Sequence, residues 1–484
     1  MNLSRRFGSR LLALSAFGLI SVVLVLGTGT VRAETARTSM IALQASTPTP
    51  TPLPTPTPLP TPTPLPTPIA LYLPLVTNLF PLETVFGVEM GSITAGGGMV
   101  EVAASQVTWV RRNGVNWSEL QPDKGTAPDW SQLSGLDQEL IDANQRDLQV
   151  ILVVRGTPTW ARAHPDYPDS ECGPIEPSEY ASFAAFMGQL VDRYKDPPYE
   201  VKYWQIWNEP DAPLKDSSSQ FGCWGDLADS TYFGGDDYGA MLQVVYPAVR
   251  SVDPAAQVLI GGLLLDCEPQ AGCGPANLPS MANFLSGILA SGAGGSFDGV
   301  AFHAYDHYWG GLGQYFNPNW SSSWSDKGPV LAAKAAFVRG VLADHGVTGK
   351  YLMNTETALI CGGPKDPPGQ KPCDADPSLE FERTKADYVA QSYAAAMAEG
   401  LRANIWYSVF GWRNSALLDG DLTPRLAYDA LTFARLTLPK PIFLGQISSS
   451  DVGGASVLGY KFTQDGRQIW LIWSASTSEQ PIAV

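Results

Sequence analysis

The sequence predicts an α/β protein built on a (β/α)8 TIM barrel, followed by a short β-sandwich segment. Three observations carry the barrel. Eight short apolar runs alternate with longer amphipathic stretches between residues 85 and 436, and strands alternating with helices build parallel βαβ units. The runs are apolar and rich in β-branched residues, as in a sheet covered on both faces. No glycine-rich dinucleotide fingerprint follows any of them, which weighs against an open, doubly wound sheet.

Taken in order, residues 1–33 read as an export signal. Arg5, Arg6 and Arg10 form a basic region, residues 11–26 are mostly apolar, and Val31-Arg32-Ala33 offers small residues for cleavage. The apolar run is short against the ~20 residues of a full span, so a cleaved signal is favoured over a retained anchor, and either one places the rest outside the cytoplasm. Residues 34–80 form a linker whose stretch TPTPTPLPTPTPLPTPTPLPT (47–67) cannot pack and favours extended polyproline II. Residues 81–440 carry the barrel. Its expected strands are 85–90, 107–112, 150–155, 201–207, 257–264, 299–305, 351–355 and 404–410. The helical stretches between and after them are 131–146, 178–194, 238–251, 280–290, 329–345, 379–399 and 424–436. Residues 441–484 change character. IFLGQI, ASVLGYKF and QIWLIWS are β-like, and Asp465-Gly466 supplies a hairpin turn. Three strands are few for an independent domain, so an incomplete sandwich with an open strand edge is expected, dispensable for activity.

The net charge of −16 argues against phosphate-rich partners: nucleic acid and anionic membrane call for basic patches. Six cysteines fit an oxidising compartment. They form no CxxC pair and the chain has only four histidines, so a structural zinc site is not indicated, and no cofactor is implied.

In such a barrel the working residues sit where strands end and βα loops begin. Strand 2 ends at Arg111-Arg112, strand 4 at Asn208-Glu209, strand 6 at His303-Ala304-Tyr305 and strand 7 at Asn354-Thr355-Glu356, while strand 8 runs into Phe410-Gly411-Trp412. In YWQIWNEPDAP (203–213) an aromatic run delivers an amide and a carboxylate, and Pro210 ends it. Two carboxylates from opposite sides of one barrel mouth suit glycosidic cleavage. One protonates the leaving oxygen; the other attacks the anomeric carbon or activates a water that does.

These residues resemble the retaining glycoside hydrolases with acid/base on strand 4 and nucleophile on strand 7 (clan A), the superfamily of the family 5 cellulases and family 39 β-xylosidases. The resemblance spans about residues 83–441. It lies in WNEP (207–210), HAY (303–305) and NTET (354–357), with WVRRNGVNWSEL (109–120) and VRGTPTWA (154–161) nearest the family 39-like branch. It implies an exported enzyme acting on a carbohydrate, with Glu209 as acid/base and Glu356 as nucleophile, their carboxyl groups ~5–5.5 Å apart. Asn208 would hold the sugar 2-OH. Tyr305 would donate to Glu356, and His303 would support the sugar or Glu209. One arginine of strand 2 would keep the nucleophile ionised; Arg111 is favoured, with the phase against Arg112 open. Trp412 would floor the sugar site, and Trp160 and Trp224 are looser subsite candidates. A transglycosylase and a non-catalytic glycan-binding barrel are the alternatives.

Cys172, Cys223, Cys267, Cys273, Cys361 and Cys373 all fall in loops on the face where strands end. Sequence leaves 15 connectivities. Pairs Cys267–Cys273 and Cys361–Cys373 would close short loops, and Cys172–Cys223 would tie the loop after strand 3 to its neighbour.

Overall fold

In the computed structural model of the chain, residues 23–26, 84–166, 170–214, 222–268, 279–361, 377–478 and 480–483 are described. The expected linker, most of the expected export signal, Cys273 and Cys373 lie outside them. The barrel strands are β1 (Phe86–Glu89), β2 (Trp109–Asn116), β3 (Gln149–Arg155), β4 (Tyr203–Asn208), β5 (Gln257–Leu263), β6 (Gly299–Tyr308), β7 (Tyr351–Ile360) and β8 (Ala403–Trp406). Each pairs in parallel with the next, and β8 pairs with β1, so the sheet closes. A helix follows each strand: α1 (Met99–Ala104), α2 (Ser134–Asn144), α3 (Tyr180–Tyr194), α4 (Gly235–Val252), α5 (Phe284–Ala290), α6 (Leu331–Asp344), α7 (Leu379–Ala398) and α8 (Leu426–Thr437). The (β/α)8 barrel is thus the observed fold.

Period-two alternation fills the barrel. Trp109, Ile151, Tyr203, Leu259, Ala301, Met353, Ala403 and Ile405 form one buried apolar cluster at the start of the strands. Two residues further along, the same inward phase carries Arg111 on β2, Gln205 on β4 and His303 on β6, all fully buried. The barrel is therefore floored by apolar side chains and topped by polar ones.

Several boundaries differ from the sequence expectation. β2 runs on to Asn116, past its expected end at residue 112. β6 and β7 continue past their expected ends, with His303–His307 paired to Glu356–Ile360; the polar residues there are still strand. β8 stops at Trp406, short of residue 410. α1 has only six residues, and the sequence pattern did not single it out.

Among the described residues no helix is long and apolar enough to cross a membrane. Cys172 and Cys223 are disulfide-bonded and join the loops after β3 and β4. The Cys172 carbonyl accepts from the Cys223 amide at 3.0 Å and from Trp207 Nε1 at 2.8 Å. Cys267 and Cys361 are disulfide-bonded as well, and their expected partners lie outside the described residues.

The C-terminal strands β9 (Ile442–Gln446), β10 (Val457–Gln464) and β11 (Arg467–Ser474) form an antiparallel sheet. Asp465 and Gly466 both take positive φ, 51° and 73°, as a type I′ hairpin turn requires. Val23–Leu26 lies antiparallel beside β11, and β9 is the opposite edge. Loss of residues 1–33 as a leader would uncover the outer edge of β11. Ile442, Phe443 and Leu444 on β9 are exposed.

One face of the sheet joins the barrel core, because Tyr460, Phe462, Leu471 and Trp473 are buried in the same apolar cluster as Phe381, Tyr388 and Val389 of α7. A chain ending at Lys440 should therefore melt at a clearly lower temperature than the full chain. Burial of each such side chain is worth about 1.5–3 kcal/mol. An unchanged melting temperature would show the sheet to be a separable appendage.

Candidate active site

The strand ends open into a cleft of about 570 Å³ whose lining includes Glu89, Asn113, Asn208, Glu209, Tyr305 and Glu356. β4 delivers two consecutive residues to it because the backbone breaks its alternation. Trp207 and Glu209 take φ of 72° and 48°, left-handed values that cost a bulky residue of order 1–3 kcal/mol each. β7 breaks step too. Its pairing with β6 runs Phe302 to Asn354 and then His303 to Glu356, skipping Thr355. A one-residue slip turns a strand's following side chains to the other face, and here it brings Glu356 onto the cleft.

Arg111 organises the site. It is fully buried, and its Nε donates to Gln205 Oε1 at 3.1 Å. Nη2 donates to Asn208 Oδ1, and Nη1 donates both to Glu89 and to Glu356 Oε1, the latter at 2.6 Å. Its carboxylate neighbours push the guanidinium's pKa above its already high value, against the opposing effect of burial. Arg112 points the opposite way and pairs with Glu139 of α2 at 2.7 Å. The strand-2 phase that the sequence left open is settled in favour of Arg111.

Glu356 Oε2 accepts from the Tyr305 hydroxyl, so both of its oxygens are held. Asn208 Oδ1 is held by Arg111, which leaves Nδ2 as the amide donor for a ligand. Glu209 Oε1 lies 2.9 Å from His303 Nδ1. Burial drives His303 down to about 3, so the ring is neutral, and its Nδ1 shares one hydrogen bond with the Glu209 carboxyl. Burial raises Glu209 to about 7, Arg111 opposing and Asp266 adding to the rise. His303 fits because β5 carries glycine opposite it: a Cβ on Gly262 would meet His303 Nε2 at 2.1 Å.

The aromatic candidates divide. Trp412 lines the cleft, is half exposed, and meets Tyr305 edge-on at 6.1 Å. Trp160 is partly buried against Trp117, its Nε1 donating to Gln121 O at 3.1 Å, and it is not part of the cleft lining. Trp224 must be withdrawn as a subsite candidate. It is 1% exposed and packs between Trp207 and Tyr238, so no ligand reaches it.

Sequence reasoning missed several lining residues: Glu89, Asn113, Asp266, Asn317, Lys334 and Tyr407. Glu89 ends β1, and the strand-end rule that found the others would have found it. Lys334 sits alone in the apolar stretch of α6. It is buried and donates to the carbonyls of Leu264 at 2.8 Å and His303 at 2.9 Å, and burial lowers it to about 8. A lone lysine within an apolar helix was the available signal.

Glu209, His303 and Glu356 each bring one oxygen or nitrogen within 4.8 Å of the others. These atoms are already engaged. His303 Nδ1 is hydrogen-bonded to Glu209, and Tyr305 and Arg111 occupy the two Glu356 oxygens. A cation there would displace the donors and face the Arg111 charge, so the set suits hydrogen bonding rather than metal ligation.

No family model matches the chain, and no curated protein matches it. Solved structures do. A family 39 glycoside hydrolase from the gut symbiont Bacteroides cellulosilyticus WH2 is 17% identical, with 84% of this chain and 76% of that one covered, at a TM-score of 0.55. A glucosidase from Croceicoccus marinus is 16% identical, with 81% and 75% covered, at a TM-score of 0.50. At these identities the likeness is one of fold.

Proposed function

We propose that the chain is an exported retaining glycosidase that cleaves β-linked oligo- or polysaccharide by double displacement. Glu209 is the acid/base and Glu356 the nucleophile. The observation that carries the reading is the spacing of the two carboxylates. Oxygens of Glu209 and Glu356 lie within 4.8 Å of each other. Retaining enzymes hold the pair at ~5–5.5 Å, whereas inverting enzymes open it to ~6.5–9.5 Å to admit a water.

In the first step a Glu356 oxygen bonds to the anomeric carbon while Glu209 gives its proton to the departing oxygen, and the glycosidic bond breaks. In the second, Glu209 takes a proton from water, the hydroxyl bonds to the same carbon, and Glu356 leaves as carboxylate. The paired environments suit these roles. Glu209, raised to about 7, keeps a proton to give near neutrality. Glu356 is held by two donors, Arg111 and Tyr305, which fix and aim its carboxyl group. Asn208 Nδ2 is placed to donate to a sugar hydroxyl, and Trp412 offers a ring face.

The β-linked substrate class rests on the sequence resemblance, in line with fold neighbours named as a glycoside hydrolase and a glucosidase. Export is supported by the basic-apolar N-terminus and by the Cys172–Cys223 disulfide, since such bonds persist in oxidising compartments.

A screen of aryl β-glycosides and plant polysaccharides should yield a substrate. Proton NMR of its hydrolysis should show the β-anomer of the product first, with the α-anomer appearing only by mutarotation. Product that appears first as the α-anomer would overturn the retaining mechanism.

A further inference from the structure

We propose that Glu89 is a positioning residue of this site, setting through Arg111 how much positive charge reaches Glu356; this rests on the reading of Glu356 as nucleophile. Arg111 Nη1 donates at once to Glu89 and to Glu356, while its Nε and Nη2 are committed to Gln205 and Asn208. One guanidinium therefore stands between two carboxylates. Glu89 also lines the cleft, so its charge is close to a bound sugar.

The groups acting on Glu89 come from three sides. Arg111 and Arg112 belong to β2, Glu356 to β7, and Tyr407 follows β8. Burial pushes the Glu89 carboxyl up, Arg111 pulls it down, and the Glu356 charge pushes it up again. When Glu89 holds a proton, Arg111 is left to Glu356, whose electrons are drawn toward the guanidinium. When Glu89 is ionised, it shares that charge, Glu356 becomes the better nucleophile, and a second negative charge faces the cationic transition state.

A residue that only buttressed Arg111 would be replaced well by glutamine, which still accepts the Nη1 hydrogen bond. The proposal expects otherwise. In Glu89→Gln, kcat on a dinitrophenyl glycoside should match the wild type at low pH and fall about tenfold below it as pH rises through about 7, where the wild-type carboxyl ionises. KM should change little, and Glu89→Asp, which keeps an ionisable carboxyl, should restore the wild-type profile. A ratio of variant to wild-type kcat that does not change with pH overturns the proposal.

A second measurement needs no turnover. Thermal melts of the full chain as wild type, Glu89→Gln, Glu356→Gln and the double variant form a cycle. Sharing of Arg111 requires clearly non-additive shifts in melting temperature, and additive shifts overturn it. A wild-type protein with no activity on any glycoside would remove the glycosidase reading, and the cycle would still decide whether Glu89 and Glu356 share Arg111.

Discussion

Glu356→Ala should abolish turnover, by about 10⁴-fold or more, if Glu356 is the group that forms the covalent intermediate. The variant should still fold. Arg111 keeps its bonds to Glu89, Gln205 and Asn208, so no buried cation is stranded, and its melting temperature is the control. The cavity left by the side chain offers a route to rescue. Azide or formate can enter it and attack the anomeric carbon from the side that Glu356 occupied, while Glu209 protonates the leaving group. The glycosyl azide formed should be the α-anomer. Full activity in Glu356→Ala, or rescue giving the β-anomer, would remove Glu356 from the nucleophile role.

Glu209→Ala should have a smaller and more selective effect. Substrates whose leaving groups depart unaided, such as dinitrophenyl glycosides, should keep much of their glycosylation rate. Substrates with poor leaving groups should lose on the order of 10²–10⁴-fold, the usual worth of general acid catalysis. Azide should rescue this variant with the opposite outcome, a β-glycosyl azide, because Glu356 still forms the first bond. The pH profile carries a further signature. With Glu209 raised to about 7 by burial, wild-type activity on poor leaving groups should decline as pH rises through about 7, and that limb should vanish in the variant. The same shift bears on stability. The folded protein holds this proton more tightly than the unfolded chain, so its contribution is fully present below ~4.3, the ordinary glutamate value, and is lost as pH rises through about 7. Glu209→Ala should flatten the fall in melting temperature across that window. Equal losses on every leaving group would count against the acid/base assignment.

The fold was legible because each barrel strand buries both faces. Runs such as VILVV in β3 and VLIGGL in β5 carry no polar residue to confuse with a loop. Legibility failed where strands become functional. Asp306 and His307, past the expected end of β6, read as loop, yet they stay paired to β7, because the cleft receives His307 and the Asp306 carboxyl accepts from Ser322, Tyr388 and the Val330 amide inside the core. Glu209 and Asn208 stood out through the proline that follows them. Glu89, in FGVE, had no such punctuation and read as an ordinary strand end. The inward phase of Arg111 could not be read from Arg111-Arg112 alone. It follows from Trp109, two residues earlier, which belongs to the barrel floor. The aim of Glu356 depends on the skipped pairing at Thr355, and a register slip leaves no trace in composition. Trp224 misled because an aromatic in a loop near the cleft looks the same in sequence whether it meets a ligand or the core.

The Cys172–Cys223 bond has a consequence for biosynthesis. Its ends are 51 positions apart in the sequence and enclose all of α3 and β4, so the cross-link cannot form until the strand bearing Asn208 has left the ribosome. The carbonyl that receives Trp207 Nε1 belongs to Cys172 itself, which ties the oxidation step to the seating of that strand's end. Protein made in a reducing cytosol would lack this tether on the end of β4. The same gene directed to an oxidising compartment, or refolded in a glutathione couple, would acquire it. Yield of active material should therefore track the redox history of the preparation more closely than its temperature or inducer level.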